Sequence, residues 1–203
     1  MLPSAAPLPL RWTWLPLART PGSDAGAAEQ AARAWLGRQL GCATEKVPLR
    51  RDTRGRPRLV DPFSDWDCNW SHSGDGLLVA LAQGMPVGAD LEWVRPRPRA
   101  LELSRRFFAA SETRWLEGLA EIDRTPAFVR LWCAKEAVLK AHGHGISFGL
   151  ERLVFADTDA GLRMVECDPA LGSSDCWSLQ ELVPAPGYLG AVAGWLHPPA
   201  GRG

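Results

Sequence analysis

Three separated groups of residues carry side chains able to do chemistry. In Val87-Gly88-Ala89-Asp90-Leu91-Glu92 two carboxylates stand two residues apart. On an extended strand, residues i and i+2 share a face, so Asp90 and Glu92 point the same way. Like charges side by side are costly without a cation between them. Mg²⁺, a hard ion with oxygen ligands, fits such a pair. A strand face turned to water is the plainer alternative. The second group is Trp132-Cys133-Ala134-Lys135-Glu136-Ala137-Val138-Leu139-Lys140. Glu136 and Lys140 are four apart and share one helix face. As an exposed pair they would be worth about 0.3–0.5 kcal/mol. The flanking Leu131, Trp132, Val138 and Leu139 instead suggest a largely buried helix, where a Glu between two lysines marks a site. The third group, Asn69-Trp70-Ser71-His72-Ser73-Gly74-Asp75-Gly76, is a strand entering a polar turn. Ser71, His72 and backbone N–H groups can hold phosphate oxygens. A turn histidine without a ligand is the alternative. A Ser-His hydrolase is conceivable, but no G-x-S-x-G nucleophile elbow is expected in the chain.

These groups need a scaffold. The sequence predicts a short strand over 11–17, then a helix from Ala27 to Leu40 stopped by Gly41. Val47–Leu49 and Arg58–Val60 flank the turn Asp52-Thr53-Arg54-Gly55. Strands are expected over 68–71, 76–82 and 87–94, the last carrying the acidic pair. Arg95-Pro96-Arg97-Pro98-Arg99-Ala100 cannot be helix interior and reads as a linker. Helical stretches follow over 101–108 and 111–119, with Ser111 as N-cap. A further helix starts at Thr125-Pro126 and ends near His142 before Gly143. Leu153–Ala156 and Leu162–Val165 flank a second Asp-Thr turn, and strands close the chain over 177–183 and 188–195. A helix, a strand, an Asp-Thr turn, a strand and a strand pair thus occur twice. The expectation is a tandem α+β chain with halves at 1–94 and 95–203 and a site between them.

Composition narrows the classes. The 203 residues are 46% apolar and include 10 Trp, enough for a substantial core. Lys plus Arg equals Asp plus Glu, 23 each, so a dedicated nucleic-acid binder is disfavoured and any anion site must be local. Five scattered cysteines without a C-x-x-C pair predict reduced thiols. The first ten residues lack the basic start of a signal peptide, and the longest apolar run, Leu77–Ala82, is too short to span a bilayer. A soluble, cytoplasmic protein without membrane or nucleic-acid partners is expected.

In their order along the chain, the three groups, with Gly55-Arg56-Pro57 ahead of them, resemble the signatures of the phosphopantetheinyl transferase superfamily. The likeness is to its larger monomeric type, which activates peptide and polyketide synthetases, and it covers roughly residues 27 to 195. The resemblance implies a pseudo-dimer of two similar α+β halves with the site in the cleft between them. It implies transfer of the phosphopantetheine arm of coenzyme A to a serine of an apo acyl or peptidyl carrier protein. Asp90, Glu92 and Glu136 match the carboxylates that hold Mg²⁺, with Mn²⁺ as the alternative ion. Lys135 and Lys140 match lysines near the phosphates, and Ser71 and His72 match phosphate-contacting residues. Gly55 and Arg56 match a Gly-Lys-Pro position beside the nucleotide, with Arg in place of Lys. Arg33 matches an arginine facing the nucleotide phosphate, and Arg11 and Arg19 are the basic residues upstream of it. Glu136 is the expected general base, with Lys140 and His72 stabilising charge on the phosphoryl group. The stretch Leu101–Phe108, with Trp115, matches the carrier-docking region, with Phe107 and Phe108 open to either core or interface. The alternatives are a metal-dependent phosphodiesterase and a non-catalytic protein that binds coenzyme A or a carrier.

Overall fold

A computed structural model describes residues 10–17 and 24–196; Arg19 lies outside them. The first strand, β1 (Arg11–Pro16), leads to α1 (Asp24–Leu40) and a short hairpin, β2 (Leu49–Arg51) and β3 (Pro57–Leu59). Two longer strands follow, β4 (Trp66–Ser73) and β5 (Gly76–Gln83), then β6 (Val87–Trp93). The helices α2 (Ala100–Phe107), α3 (Ala110–Gly118) and α4 (Glu121–His142) come next. A second hairpin, β7 (Leu153–Thr158) and β8 (Gly161–Cys167), precedes β9 (Trp177–Leu182) and β10 (Tyr188–Trp195).

The strands form two antiparallel three-stranded sheets, ordered β1-β5-β4 and β6-β10-β9. Each sheet puts the first strand of its unit beside the last, and the last beside the one before it. Each unit also carries a helix and a separate hairpin, β2-β3 or β7-β8. This is the α+β class that the sequence suggests. By its ladder β6 belongs to the second sheet, with Asp90 opposite Ala191 and Glu92 opposite Leu189. The second sheet therefore begins at Val87. The Pro-Arg linker joins β6 to α2.

Burial follows from strand alternation. On β5, Leu77, Val79 and Leu81 pack with Ala32, Trp35 and Leu36 of α1. Leu78, Ala80 and Ala82, on the other face, pack with Val87, Ala89 and Leu91 of β6. A strand covered on both faces reads as a continuous apolar run, as Leu77–Ala82 does. The second unit is built round α4, whose Phe128, Leu131, Ala134, Val138 and Leu139 are all buried. A helix apolar on nearly every side is a central one.

Two helix starts differ from expectation. The helix α4 begins at Glu121, not at Thr125-Pro126. Glu121 and Asp123 favour the start of a helix, and Pro126 falls inside its second turn, where it lacks the N–H for a bond to the carbonyl of Ile122 and crowds that carbonyl. Ser111 is not a cap: α3 starts at Ala110, and Glu112 Oε2 accepts from the backbone N–H of Ala109. The five cysteines are free.

Candidate active site

The strands β4 and β6 lie side by side at the junction of the two sheets but are joined by side chains instead of a backbone ladder. Alternate residues of β4 reach across. Asp67 Oδ2 accepts from Val87 N at 2.8 Å, Asn69 Oδ1 from Ala89 N at 3.0 Å, and Ser73 Oγ from Trp93 N at 3.0 Å. Ser71 Oγ, on the same face, donates to Asp90 Oδ1 at 2.9 Å. A second constraint comes from Gly88. A Cβ there would sit 1.9 Å from the Ala137 carbonyl oxygen, so only glycine lets β6 lie directly on α4. This contact sets Asp90 beside the helix face that carries Glu136 and Lys140.

The three side chains meet. Lys140 Nζ donates to Asp90 Oδ1 at 2.7 Å, to Ser71 Oγ at 3.2 Å and to the Ala89 carbonyl at 3.1 Å. Burial would lower the Lys140 pKa, but the Asp90 carboxylate outweighs it and the net shift is upward. Asp90 and Glu136 are each 5% exposed, and the buried Asp90 Oδ2 and Glu136 Oε1 have no hydrogen-bond partner among the described residues. Burial, then the nearby Asp90 charge, pushes the Glu136 pKa up to about 7. Glu92 is held differently: Arg97 donates to its Oε2 at 2.6 Å, and Ser73 Oγ does so weakly at 3.4 Å. Burial raises the Glu92 pKa in spite of Arg97.

A cavity of about 290 Å³ opens on the other side of Lys140. Its lining includes Arg51, Arg54, Gly55, Arg56, Trp70, Lys140 and His144. The β2-β3 turn builds much of this basic wall. Asp52 Oδ1 accepts from the N–H groups of Arg54 and Arg56, both at 3.0 Å, and Gly55 takes a positive φ of 79°. Arg51 bonds to Glu29 at 2.5 Å and lies over the Trp70 ring. Arg54 reaches across to the Gly143 carbonyl at 3.0 Å.

The predicted residues divide as follows. Asp90, Glu136, Lys140 and Ser71 come together, and Gly55 and Arg56 line the basic cavity. The guanidinium of Arg56 is committed to structure, donating to Asp67, Lys140 O and Val87 O. Lys135 does not belong to the cleft. Its ammonium is fully buried on the far side of α4, 2.8 Å from Glu112, and donates to the Leu150 and Leu153 carbonyls. Adjacent helix residues point about 100° apart, so Lys135 cannot share the face of Glu136 and Lys140. Arg33 is also diverted: Glu29, one turn back, takes its Nε at 3.1 Å, and Val47 O takes Nη1 at 3.0 Å. His72 is exposed and alternates to the face opposite Ser71, away from Lys140. Phe108 resolves to core, stacked on Phe128 at 5.2 Å, while Phe107 is half-buried. Arg51, Arg54, Arg97 and His144 escape sequence reasoning. The density of arginine over 50–58, in a chain of zero net charge, is the signal that could have found the first two.

Two negative findings bear on the chemistry. A G-x-S-x-G string does occur, at Gly145-Ile146-Ser147-Phe148-Gly149, but it forms a 3₁₀ turn, and Ser147 Oγ donates to His144 O at 3.0 Å. It is not a strand–turn–helix elbow. Among the described residues, no three His, Cys, Asp or Glu side chains are gathered as a metal ligand set. No described helix is long and apolar enough to cross a membrane.

Comparison with known proteins supplies the family. The model of the 4′-phosphopantetheinyl transferase superfamily matches residues 86–193, from β6 to β10. A Synechocystis sp. protein bearing that transferase name is 39% identical over 151 residues, 73% of this chain and 60% of its own length. The 4′-phosphopantetheinyl transferase HetI of Nostoc sp. is 36% identical over 169 residues, 80% of this chain and 68% of its own. The 4′-phosphopantetheinyl transferase Sfp of Bacillus subtilis is 33% identical over 109 residues, 53% of this chain and 47% of its own. On these matches, the chain belongs to the 4′-phosphopantetheinyl transferase superfamily.

Proposed function

We propose that this protein transfers the 4′-phosphopantetheine group of coenzyme A to a serine of an apo acyl or peptidyl carrier protein, releasing 3′,5′-ADP. The observation that carries this reading is the pair of buried, unpartnered carboxylate oxygens on Asp90 and Glu136, set beside Lys140 at the edge of an arginine-walled cavity. Bare buried carboxylate oxygens are costly unless a cation satisfies them. Their fit is to a divalent ion such as Mg²⁺, which takes one or two protein carboxylates and completes its shell with water and substrate phosphate oxygens. Asp90 and Glu136 would hold it, joined by Glu92 once that carboxylate is free of Arg97. When bound, the ion neutralises charge on the diphosphate.

The side chains divide the remaining work. Arg51 and Arg54 offer positive charge and donors to the nucleotide phosphates, and His144 and the Trp70 face border the same space. His72 shares a strand face with Trp70, so its role is on this nucleotide side and not at the reacting phosphorus. Lys140 donates toward phosphoryl oxygens as charge shifts in the transition state. The serine oxygen forms a bond to phosphorus as the bond to the leaving oxygen breaks, and 3′,5′-ADP departs with that electron pair. Glu136, beside Lys140 on the cleft face of α4, is the base that takes the serine proton. Arg105 and Arg106 on α2 are the proposed contacts for an acidic carrier surface.

The test is intact-mass analysis of apo carrier proteins after incubation with this protein, coenzyme A and Mg²⁺. A gain of about 340 Da on the carrier is expected, the mass of the arm deduced from its formula. Glu136→Gln should slow that gain by about 10²-fold or more. Cleavage of coenzyme A with no mass gained on any carrier would establish a phosphodiesterase instead.

A further inference from the structure

Arg97 lies on the segment between β6 and α2, outside the helices and strands. Its guanidinium is 2.6 Å from Glu92 Oε2, and the two side chains are 25% and 21% exposed. Of the three carboxylates assigned to the cation, Asp90 and Glu136 each present a bare buried oxygen, whereas Glu92 is already paired with the chain's own Arg97. Arg97 also lines a separate cavity of about 360 Å³. Its walls include Pro96, Pro98, Leu101, Glu121 and Arg124. Arg97 thus pairs with Glu92 and also borders an open space that carries another carboxylate. The flanking Pro96 and Pro98 stiffen the backbone on both sides, so its motion is a side-chain swing.

We infer that Arg97 is an internal counter-ion for Glu92, which must swing away toward the Glu121 side before Glu92 can join Asp90 and Glu136 around a divalent cation. The inference rests on the cation reading given above. It makes the third carboxylate conditional. Without substrate the cluster binds a cation through Asp90 and Glu136 alone. Full coordination waits until substrate oxygens help to outcompete the guanidinium. Arg97 is a positioning residue, acting on the site through Glu92.

Mn²⁺ titration of the substrate-free protein, with free ion read by its paramagnetic resonance signal, tests this without turnover. Arg97→Gln should bind Mn²⁺ about tenfold more tightly than wild type, the scale of removing one competing charge in contact. Arg97→Lys, which keeps the charge, should return affinity to the wild-type level. The double variant Arg97→Gln/Glu92→Gln, which removes the paired charges together, should stay within about twofold of wild type in substrate-free affinity. A folded Arg97→Gln protein with unchanged or weaker Mn²⁺ affinity would overturn the inference. So would a tenfold loss in the double variant, a readout that holds even if Arg97→Gln alone fails to fold. Either result beside normal arm transfer removes only the counter-ion. A wild type that binds no Mn²⁺, with or without coenzyme A, removes the cation reading as well.

Discussion

At the residue scale, three charged residues of α4 have two different fates. Glu136 and Lys140 face β6 and the cleft, while Lys135 turns into the core of the second unit. There it forms a closed pair with Glu112, which also accepts from the N–H groups of Ala109 and Phe155. Burial lowers the Lys135 pKa, and Glu112 opposes that shift. The pair locks α3, α4 and β7 together. Lys135→Met leaves Glu112 buried without its cation and should cost about 3–5 kcal/mol in urea unfolding. The double variant with Glu112→Leu should recover most of that loss. If Lys135 instead gripped phosphate, the single variant would keep its stability and lose coenzyme A affinity.

At the element scale, two short pieces of chain aim the site. The strand β6 touches α4 at Gly88, where a Cβ would also lie 2.5 Å from Ala141 N. Gly88→Ala must push strand from helix and draw Asp90 off Glu136. A loss of roughly 3 kcal/mol or more is expected by denaturant titration, and an unchanged midpoint would contradict the packing described. The β2-β3 turn depends on Asp52. Burial alone would raise its pKa, but the N–H groups of Arg54 and Arg56, with the Arg58 guanidinium, outweigh it and hold it below the usual range. A carboxylate depressed in the folded state stabilises above its unfolded pKa, about 3.9, and loses that contribution as pH falls through its folded value. Asp52→Asn should therefore melt below wild type at neutral pH, and the gap should close on acidification below about pH 4. A gap independent of pH would show that the charge plays no part.

At the scale of the whole molecule, the halves are held by shared apolar residues of β5, β6 and β10 and by polar groups drawn from both units. Arg56 is the main polar tie, since one guanidinium joins Asp67 on β4, the Val87 carbonyl on β6 and the Lys140 carbonyl on α4. Arg56→Gln should lose about 3 kcal/mol, because Asp67 would keep a part-buried charge with less compensation. The loosened cleft should also raise the KM for coenzyme A. Full stability in that variant would show that apolar packing alone joins the halves.

Much of this was legible in the residues. Local periodicity carries the strands and helices, because a half-covered strand alternates and a doubly covered one, like 77–82, does not. The repeated Asp-Thr turns anticipate two like units. The Asp90, Glu136 and Lys140 cluster could be read because each signature fixes which face its side chains share, and family likeness joins signatures far apart in the chain. Sequence order could not show which side of α4 Lys135 takes, that Glu29 would capture Arg33, that Ser71 and His72 face opposite ways relative to the cleft, or that β6 pairs with β10. Each of these depends on what packs against the element, which spacing along the chain does not encode. The sequence by itself determined the two-unit α+β plan and the chemistry available to it. Tertiary structure alone decided which charges meet in the cleft and which are spent holding it, because ion pairs form between residues that are near in space, whatever their distance along the chain.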